Sequence, residues 1–169
     1  MGFSNEVEKV LDDQAAEGQF EVLPETVARE KYGDRLAIAS LAALQKGTSE
    51  EGEIEVRVLH DGTRGVSTNK FIKVLDGGWS PMAKDIKATM RLQTEADVPH
   101  CGLTVDVKSA HRIVAVRPVD WPLQACQIRP GGKVYLNKRG TFGIASAAYW
   151  WGRLAAALQR SGLLILGPL

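Results

Sequence analysis

The sequence predicts a single domain of the α+β class. Segments with apolar residues at helical spacing begin and end the chain, and segments that alternate polar and apolar residues lie between them. The chain has 169 residues, of which 44% are hydrophobic and 24% are charged. This length and composition suffice for one core and exclude the disordered and fibrous classes.

Two helices are predicted in the first 35 residues. Val7 and Leu11 share one face of a helix over 4–16, which is otherwise rich in acidic residues. A shorter helix begins at Pro24, a favoured first-turn residue, and ends at Gly33, where a left-handed cap costs least. We expect these 35 residues to form an acidic helical leader.

A β-hairpin is predicted from 36–45 and 53–60. The run 36–44 by itself fits either a buried strand or a helix, but the next segments favour the strand. Residues 46–52 are polar and turn-rich, and 53–59 alternates polar and apolar side chains as a half-buried strand does.

The later elements follow from caps, turns and periodicity. Ser80 caps a helix that Pro81 opens, and a Pro-Gly-Gly turn at 130–132 joins two strands. The predicted elements are a short strand at 71–75, a helix at 81–92, a short buried strand at 103–107, an extended segment at 113–116, an antiparallel hairpin of 122–129 with 133–138, and a helix at 146–160.

The charges divide unevenly along the chain. Residues 1–55 carry 13 Asp or Glu and 5 Lys or Arg, whereas residues 56–169 carry 16 Lys or Arg and 7 Asp or Glu. A basic region behind an acidic leader is expected of a protein that handles phosphates. The alternative is an ordinary solvated surface.

The cysteines and the apolar runs favour the cytoplasm or the nucleus. Cys101 and Cys126 belong to no CxxC or Cys/His metal pattern, which indicates a reducing compartment. The longest apolar run, 163–166, is much shorter than a membrane span, and the N-terminus shows no signal region. We therefore expect no membrane partner.

Asp106 is the first candidate for chemistry. It lies at the end of the predicted strand 103–107 and precedes a turn of small and polar residues. A carboxylate in such a place can present its oxygens to a hard cation beside a cleft. The alternative is a capping or turn role, which is common for Asp at the end of a strand.

Three ordered segments resemble motifs of the reverse transcriptases of retroelements. Asp106-Val-Lys-Ser-Ala-His-Arg112 is similar to the family pattern D-x-x-x-A-(Y/F/H)-R, and Thr141-Phe-Gly-Ile-Ala-Ser-Ala-Ala148 is similar to P-F-G-L-x-x-A-P at the start of a helix. Arg57-Val-Leu-His-Asp61 resembles the fingers strand that has an Arg four residues before an Asp. The resemblance covers residues 36–160 and implies RNA-templated DNA synthesis.

The resemblance also implies a fold for each region. After the leader at 1–35, it implies a fingers-like β-hairpin with helices over 36–100. It then implies a partial polymerase palm over 101–169, with short antiparallel strands backed by helices.

Matching positions imply roles for three residues of the phosphate-handling site. Asp106 matches the first metal-binding aspartate, a catalytic residue where paired Mg²⁺ ions would hold the triphosphate and the primer hydroxyl. The carbonyl of Val107 would contact a metal ion. Arg57 matches the arginine that grips the triphosphate, with an exposed strand arginine as the alternative.

Three more residues would contact the nucleotide. Phe142 and Gly143 match the loop that packs against the incoming nucleotide and the template base, with a helix-entry turn as the alternative. His111 matches the residue that stacks beneath the sugar and excludes a 2′-hydroxyl. That residue is usually Tyr or Phe, so discrimination between deoxy- and ribonucleotides is in question. Ala148 replaces the expected proline.

The third motif of the family, two adjacent aspartates on a hairpin, has no match, since no acidic residue follows Asp120. The pair Asp12-Asp13 lies on the predicted N-terminal helix, where solvated carboxylates are the rule. We therefore expect a truncated fragment of a retrotransposon polymerase, inactive alone, that lacks a downstream palm and thumb segment. Its implied partners are an RNA template, a DNA primer and a dNTP.

Other interpretations stay open. The chain is alternatively a nucleic-acid-binding remnant without catalysis, or a fragment that does not fold alone. Trp150 and Trp151 could stack on bases, although such positions among Ala and Leu are typical of a core. The basic face of the helix at 81–92 could contact template phosphates or be solvated. The sequence contains no G-x-x-x-x-G-K-(S/T) phosphate loop, which argues against an ATPase.

Overall fold

A computed structural model describes residues 3–75, 82–96 and 105–166 of the chain. These residues form a five-stranded mixed sheet with helices on both faces, which confirms the predicted α+β class. The strands are β1 (Phe20–Pro24), β2 (Ile38–Thr48), β3 (Ile54–Asp61), β4 (Ala125–Gln127) and β5 (Lys133–Asn137). The helices are α1 (Ser4–Ala16), α2 (Glu25–Tyr32), α3 (Thr68–Phe71), α4 (Ala83–Ala96), α5 (Ala110–Ile113) and α6 (Ser146–Leu166), with 3₁₀ turns at Gly33–Arg35 and Pro118–Gln124.

The strands are arranged in the order β1-β5-β4-β2-β3. The β2–β3 and β4–β5 hairpins are antiparallel, and β1 pairs antiparallel with β5. A short parallel contact, in which Ile38 lies opposite Ala125, joins the two hairpins into one sheet. The β2–β3 hairpin continues well beyond this contact, so its far end is a two-stranded arm.

Helix α1 covers one face of the sheet. Its buried Val7 and Leu11 pack against Phe20, Leu41 and other core residues of the strands. Burial of such a stripe is the main source of helix stability in a protein.

Polar contacts fix α1 to the neighbouring strand β5. The Asp12 carboxylate accepts a hydrogen bond from the Tyr135 hydroxyl and pairs with Lys133, both at 2.8 Å. These contacts lower the pKa of Asp12, with the hydrogen bond from Lys133 as the largest cause.

Helix α2 covers the opposite face. Ala28 is fully buried against Val134 and Leu136 of β5. Glu25 fixes the start of α2 to the β4–β5 hairpin, because its carboxylate accepts hydrogen bonds of 2.6 Å from the Gln127 side chain and the Gly131 N–H. These bonds, the one from Gln127 first, lower the pKa of Glu25 to about 2.

Several predicted elements are confirmed. The two N-terminal helices have the expected positions, and the hairpin of 36–45 with 53–60 is present as β2 and β3. The Pro-Gly-Gly turn at 130–132 joins β4 and β5 as predicted. Helix α6 begins at the predicted residue but continues past Gly162 to Leu166.

The strand predictions at 71–75 and 103–107 are wrong where the structure describes them. Phe71 ends helix α3, and the exposed residues after it pair with no strand of the described sheet. Residues 103 and 104 lie outside the described part. The adjacent Val105 is 74% exposed and outside the sheet, so it gains none of the burial that would stabilise a strand.

Three boundaries also differ from the predictions. The extended segment at 113–116 is shorter, because Ile113 ends helix α5 and only Ala115 bridges to Arg139. The first part of 122–129 is 3₁₀ helix, since Pro122 has no N–H for a strand ladder. Helix α4 is described from Ala83, whereas its predicted first residues, 80 and 81, lie outside the described residues.

Strand β1 was not predicted, since its five residues follow a helix closely and gain a partner only in the distant β5. It lies within the predicted leader and pairs with β5, which lies within the predicted palm region. The division of the chain into a leader, a fingers-like region and a partial palm, at residues 35 and 100, stays a prediction.

Among the described residues, no helix is long and apolar enough to cross a membrane.

Candidate functional site

Two residues predicted to contact the nucleotide lie against each other. The His111 ring on α5 and the Phe142 ring meet edge to face, with 4.3 Å between their centroids and 77° between their planes. Such a geometry is the favourable one for aromatic pairs. Phe142 remains 55% exposed, so one side of its ring is open to solvent or to a ligand.

The backbone after Phe142 passes very close to the end of β3. Gly143 has φ +88°, and a Cβ atom at this position would overlap the carbonyl oxygen of His60. Only glycine combines this conformation with so close an approach. The loop at 142–145, which we call the glycine loop, therefore rests directly on the strand that carries Arg57 and Asp61.

A side-chain amide fixes the glycine loop to the connection after β3. Asn69 donates from Nδ2 to the carbonyl of Gly143 (2.6 Å) and to the Thr63 hydroxyl (2.9 Å). Its Oδ1 accepts from the backbone N–H of Ala145 at 2.8 Å. The backbone of Asn69 also donates to the carbonyl of Gly62 at 2.9 Å.

The segment before the glycine loop is equally close to α5. Gly140 donates from its backbone N–H to the Val114 carbonyl at 2.8 Å. A Cβ atom on Gly140 would lie 2.5 Å from the carbonyl oxygen of His111. The residues on both sides of Phe142 are thus held by backbone contacts, one to α5 and one to β3.

Arg112, next to His111, connects the site with the core. Its guanidinium donates to the side chains of Asn137 (2.6 Å) and Gln14 (2.9 Å) and lies 5.1 Å from the centroid of the Phe20 ring. Burial lowers the pKa of Arg112. These contacts fix the position of α5 and hence of His111.

His60 is a buried neighbour of this cation. It is 4% exposed, and neither ring nitrogen has a hydrogen-bond partner among the described residues. Burial, followed by the charge of Arg112, lowers its pKa to about 4. His60 is therefore neutral at physiological pH.

Arg57 lies on the exposed face of β3, opposite Leu44 of β2. Because side chains alternate along a strand, Arg57 and Asp61 share a face that is opposite to that of His60. The distance along the strand from Arg57 to Asp61 is about 13 Å, at the usual rise per residue. The carboxylate of Asp61 accepts from the N–H groups of Thr63 (2.9 Å) and Arg64 (3.1 Å), which orders the turn that leads to Asn69.

Asp106 and Val107 lie just before helix α5. Asp106 is exposed and Val107 is half-buried, in a segment without regular structure. Ser109, with φ 53°, turns the chain into the helix that carries His111. In the sequence, Asp106 lies five residues before His111, and the turn at Ser109 separates the two residues.

The pair of magnesium ions implied by the resemblance stays a prediction. Two-metal sites use several carboxylates to hold both ions. Within the described ranges, no three His, Cys, Asp or Glu side chains are grouped so that they could hold a metal ion. Asp106 brings a single carboxylate, and Asp12 is engaged by Tyr135 and Lys133.

A cavity of about 720 Å³ lies beside the site and shares His111, Gly140 and Ile144 with it. Trp150 of α6 lines this cavity and is 52% exposed. The Trp150 indole therefore lies outside the buried core, although its sequence context among Ala and Leu favoured a core position.

The chain matches no protein-family model, no curated protein and no solved structure. The functional interpretation therefore depends on the residues and their arrangement.

His111 and Phe142 lie in contact, and their shared role in nucleotide binding stays a prediction. Asn69, His60 and Arg112 were not predicted to take part. Arg112 was visible in the motif beside His111, but its anchoring contacts depend on residues far away in sequence. Asn69 lies in a segment without periodicity, so nothing local indicated its function.

Proposed function

We propose that this chain is the nucleotide- and template-facing part of a reverse transcriptase of a retrotransposon. Its ligands are an RNA template, a DNA primer and a dNTP. The proposal is supported by the convergence of segments that are far apart in sequence. The β3 end, His111 and the glycine loop were matched to family motifs by order and spacing alone. The glycine loop contacts the other two, through Phe142 against His111 and through Gly143 against the backbone of His60.

The chemistry of these groups suits a nucleotide. The exposed Phe142 ring offers a flat apolar surface for a base, and the packing of Gly143 against His60 fixes the backbone beside that ring. The His111 ring supports Phe142 from the side. Arg57, exposed on β3, offers a cation of permanent charge for phosphate oxygens.

Catalysis needs carboxylates beyond those of the described site. Asp106 supplies one candidate ligand for Mg²⁺, and no acidic residue follows Asp120 in the sequence. We therefore propose that these residues bind and orient the primer–template and the nucleotide, and that the chain alone performs no nucleotidyl transfer. The cytoplasm or the nucleus is the proposed compartment.

The experiment measures binding of a fluorescent RNA–DNA primer–template by anisotropy, in a buffer that contains Mg²⁺ and at several salt concentrations. Affinity is expected to fall steeply with salt, because each phosphate contact releases counterions. With the complementary dNTP then titrated into the complex, Arg57→Ala should bind the dNTP more weakly and with a log–log salt slope reduced by about 1, because Arg57 is assigned to the triphosphate. The control is Arg29→Ala, which removes an exposed arginine of α2 and should leave the slope unchanged. Absence of binding at low salt would reject the proposal.

A second candidate is nucleic-acid binding without nucleotide recognition. It is favoured by exposed cations near the site, Arg64 and Arg117, whose side chains are more than four-fifths exposed. The next complementary dNTP separates the two candidates. If the chain is a polymerase fragment, the complementary dNTP should tighten primer–template binding more than a non-complementary dNTP does. If the chain only binds nucleic acid, neither dNTP should change primer–template binding.

A further inference from the structure

The side chain of Asn69 forms hydrogen bonds with the backbone of the glycine loop on both sides of Ile144. Gly143 contributes a carbonyl that can only accept, and Ala145 contributes an N–H that can only donate. A primary amide offers one group of each kind. The partners therefore fix the orientation of the Asn69 amide, with Nδ2 on Gly143 and Oδ1 on Ala145.

The amide is itself held in place from its own segment. The second Nδ2 hydrogen is donated to the Thr63 hydroxyl at 2.9 Å. The backbone of Asn69 donates to Gly62, and a Cβ atom on Gly62 would lie 2.8 Å from Ile144 and 3.1 Å from the Gly143 carbonyl oxygen. The turn after β3 and the glycine loop are therefore packed at backbone distance, with Asn69 between them.

This arrangement has a consequence for Phe142. Glycine adopts a positive φ without strain, so the backbone of Gly143 does not by itself fix the direction of the residue before it. Asn69 bonds the peptide that follows this conformation, whereas His111 contacts the ring that precedes it. The direction of the Phe142 ring thus depends on a residue that does not touch it.

We propose that Asn69 is a positioning residue, which clamps the glycine loop so that Phe142 faces the nucleotide. This inference builds on the proposed function, because the nucleotide is the ligand that the clamped loop would receive. The clamp itself is a property of the loop and can be measured without any ligand.

The decisive variant is Asn69→Asp. Ionised, the new carboxylate keeps an acceptor for the Ala145 N–H but places a second acceptor against the Gly143 carbonyl. Protonated, it is nearly isosteric with the amide and regains one O–H donor for that carbonyl. The clamp should therefore be lost at pH 8 and partly restored at pH 4, near the usual pKa of an Asp side chain, whereas Asn69→Ala should lack it at both pH values.

Two readouts are used at each pH. Amide hydrogen exchange measures the protection of 140–147 relative to wild type, with α1 as the internal reference. Anisotropy measures the affinity for the primer–template with its complementary dNTP. At pH 8, Asn69→Asp should lower the protection of 140–147 and the affinity for the primer–template each by about tenfold. This factor corresponds to the net contribution of one hydrogen bond. Gln159→Glu, which makes the same change of charge at an exposed position far along α6, is the control and should stay within about twofold of wild type.

The titratable groups around the loop are His60, Asp61 and His111, and they are present in wild type and in each variant. Comparison with wild type at the same pH therefore removes their effect.

Wild-type protection in Asn69→Asp at pH 8, or identical behaviour of Asn69→Asp and Asn69→Ala at both pH values, would overturn the clamp. An equal loss of protection in α1 and in 140–147 would also overturn it, since Asn69 would then stabilise the whole fold. If wild type binds no nucleotide while the loop shows the predicted pH-dependent protection, the proposed function fails and the clamp stands as a structural contact only.

Discussion

His111 contacts Phe142 edge to face, with 4.3 Å between the ring centroids, although a complete β-hairpin separates the two residues in sequence. The contact is possible because Arg112 fixes α5 to the core and the backbone of Gly143 rests on β3. The half-exposed Phe142 ring thus lies between two backbone segments, at Gly140 and Gly143, that make close contacts with their neighbours.

Gly143→Ala should destabilise the fold by about 3 kcal/mol or more. The new Cβ would overlap the His60 carbonyl oxygen, and φ +88° is strained for any other residue. Urea unfolding measures the change. The control is Gly131→Ala, because Gly131 has φ +80° but open space around its Cβ position. It should cost about 1 kcal/mol from backbone strain alone. Equal costs for the two variants would show that the close approach to His60 does not exist.

His60 should make the folded state less stable in acid. Its folded pKa of about 4 lies below the value of about 6.5 in the unfolded chain, so the unfolded state binds more protons between these values. The contribution of His60 to the free energy of unfolding is therefore fully present above about pH 6.5. The free energy of unfolding falls by about 3 kcal/mol as the pH decreases to 4.

The matching variant is His60→Phe, which keeps an aromatic ring and removes the titration. The free energy of unfolding, measured from pH 7.5 to 4, should fall less steeply in this variant than in wild type. Parallel curves for the two proteins would mean that His60 is not buried as a neutral group.

Asp12 and Asp13 are adjacent but should differ strongly in their contribution to stability. Asp12→Ala leaves the hydroxyl of the buried Tyr135 without its acceptor, which costs about 1–3 kcal/mol. Asp13→Ala removes an exposed carboxylate and should change stability by less than about 0.5 kcal/mol. Thermal unfolding measures both. The prediction fails if the two variants have the same melting temperature.

The isolated chain should extend no primer with Mg²⁺ or Mn²⁺. In-line displacement by two metal ions needs more carboxylates than the one that Asp106 supplies. A gel-based extension assay with an RNA template measures this activity. Template-dependent incorporation by the pure protein, abolished by Asp106→Asn, would contradict the prediction.

The sequence predicted those elements that have a local signal. The apolar stripe of α1, the turn at 130–132 and the alternation in β3 each specify a structure from neighbouring residues alone. Strand β1 depends on pairing with β5, a distant partner, and was missed. The strand expected at 103–107 is absent at Val105, because apolar character without a partner strand does not make a ladder.

The roles of the site residues stay predictions. Motif order suggested that His111 and Phe142–Gly143 share a site, and the rings of His111 and Phe142 lie in contact. The roles of Asn69 and Arg112 arise from hydrogen bonds to residues far away in the chain, which no local pattern reveals.

The most direct test of the proposed function is photocross-linking with a dNTP that carries a photoreactive base, in the presence of an RNA–DNA primer–template. Tryptic digestion and mass spectrometry then locate the modified residues. The account predicts cross-links in the peptides 140–153 and 109–112, which contain Phe142 and His111, competed by the unmodified dNTP and weakened by Phe142→Ala. Competed cross-links confined to the peptide 10–29, which carries most of α1, or no competed cross-link at all, would contradict it.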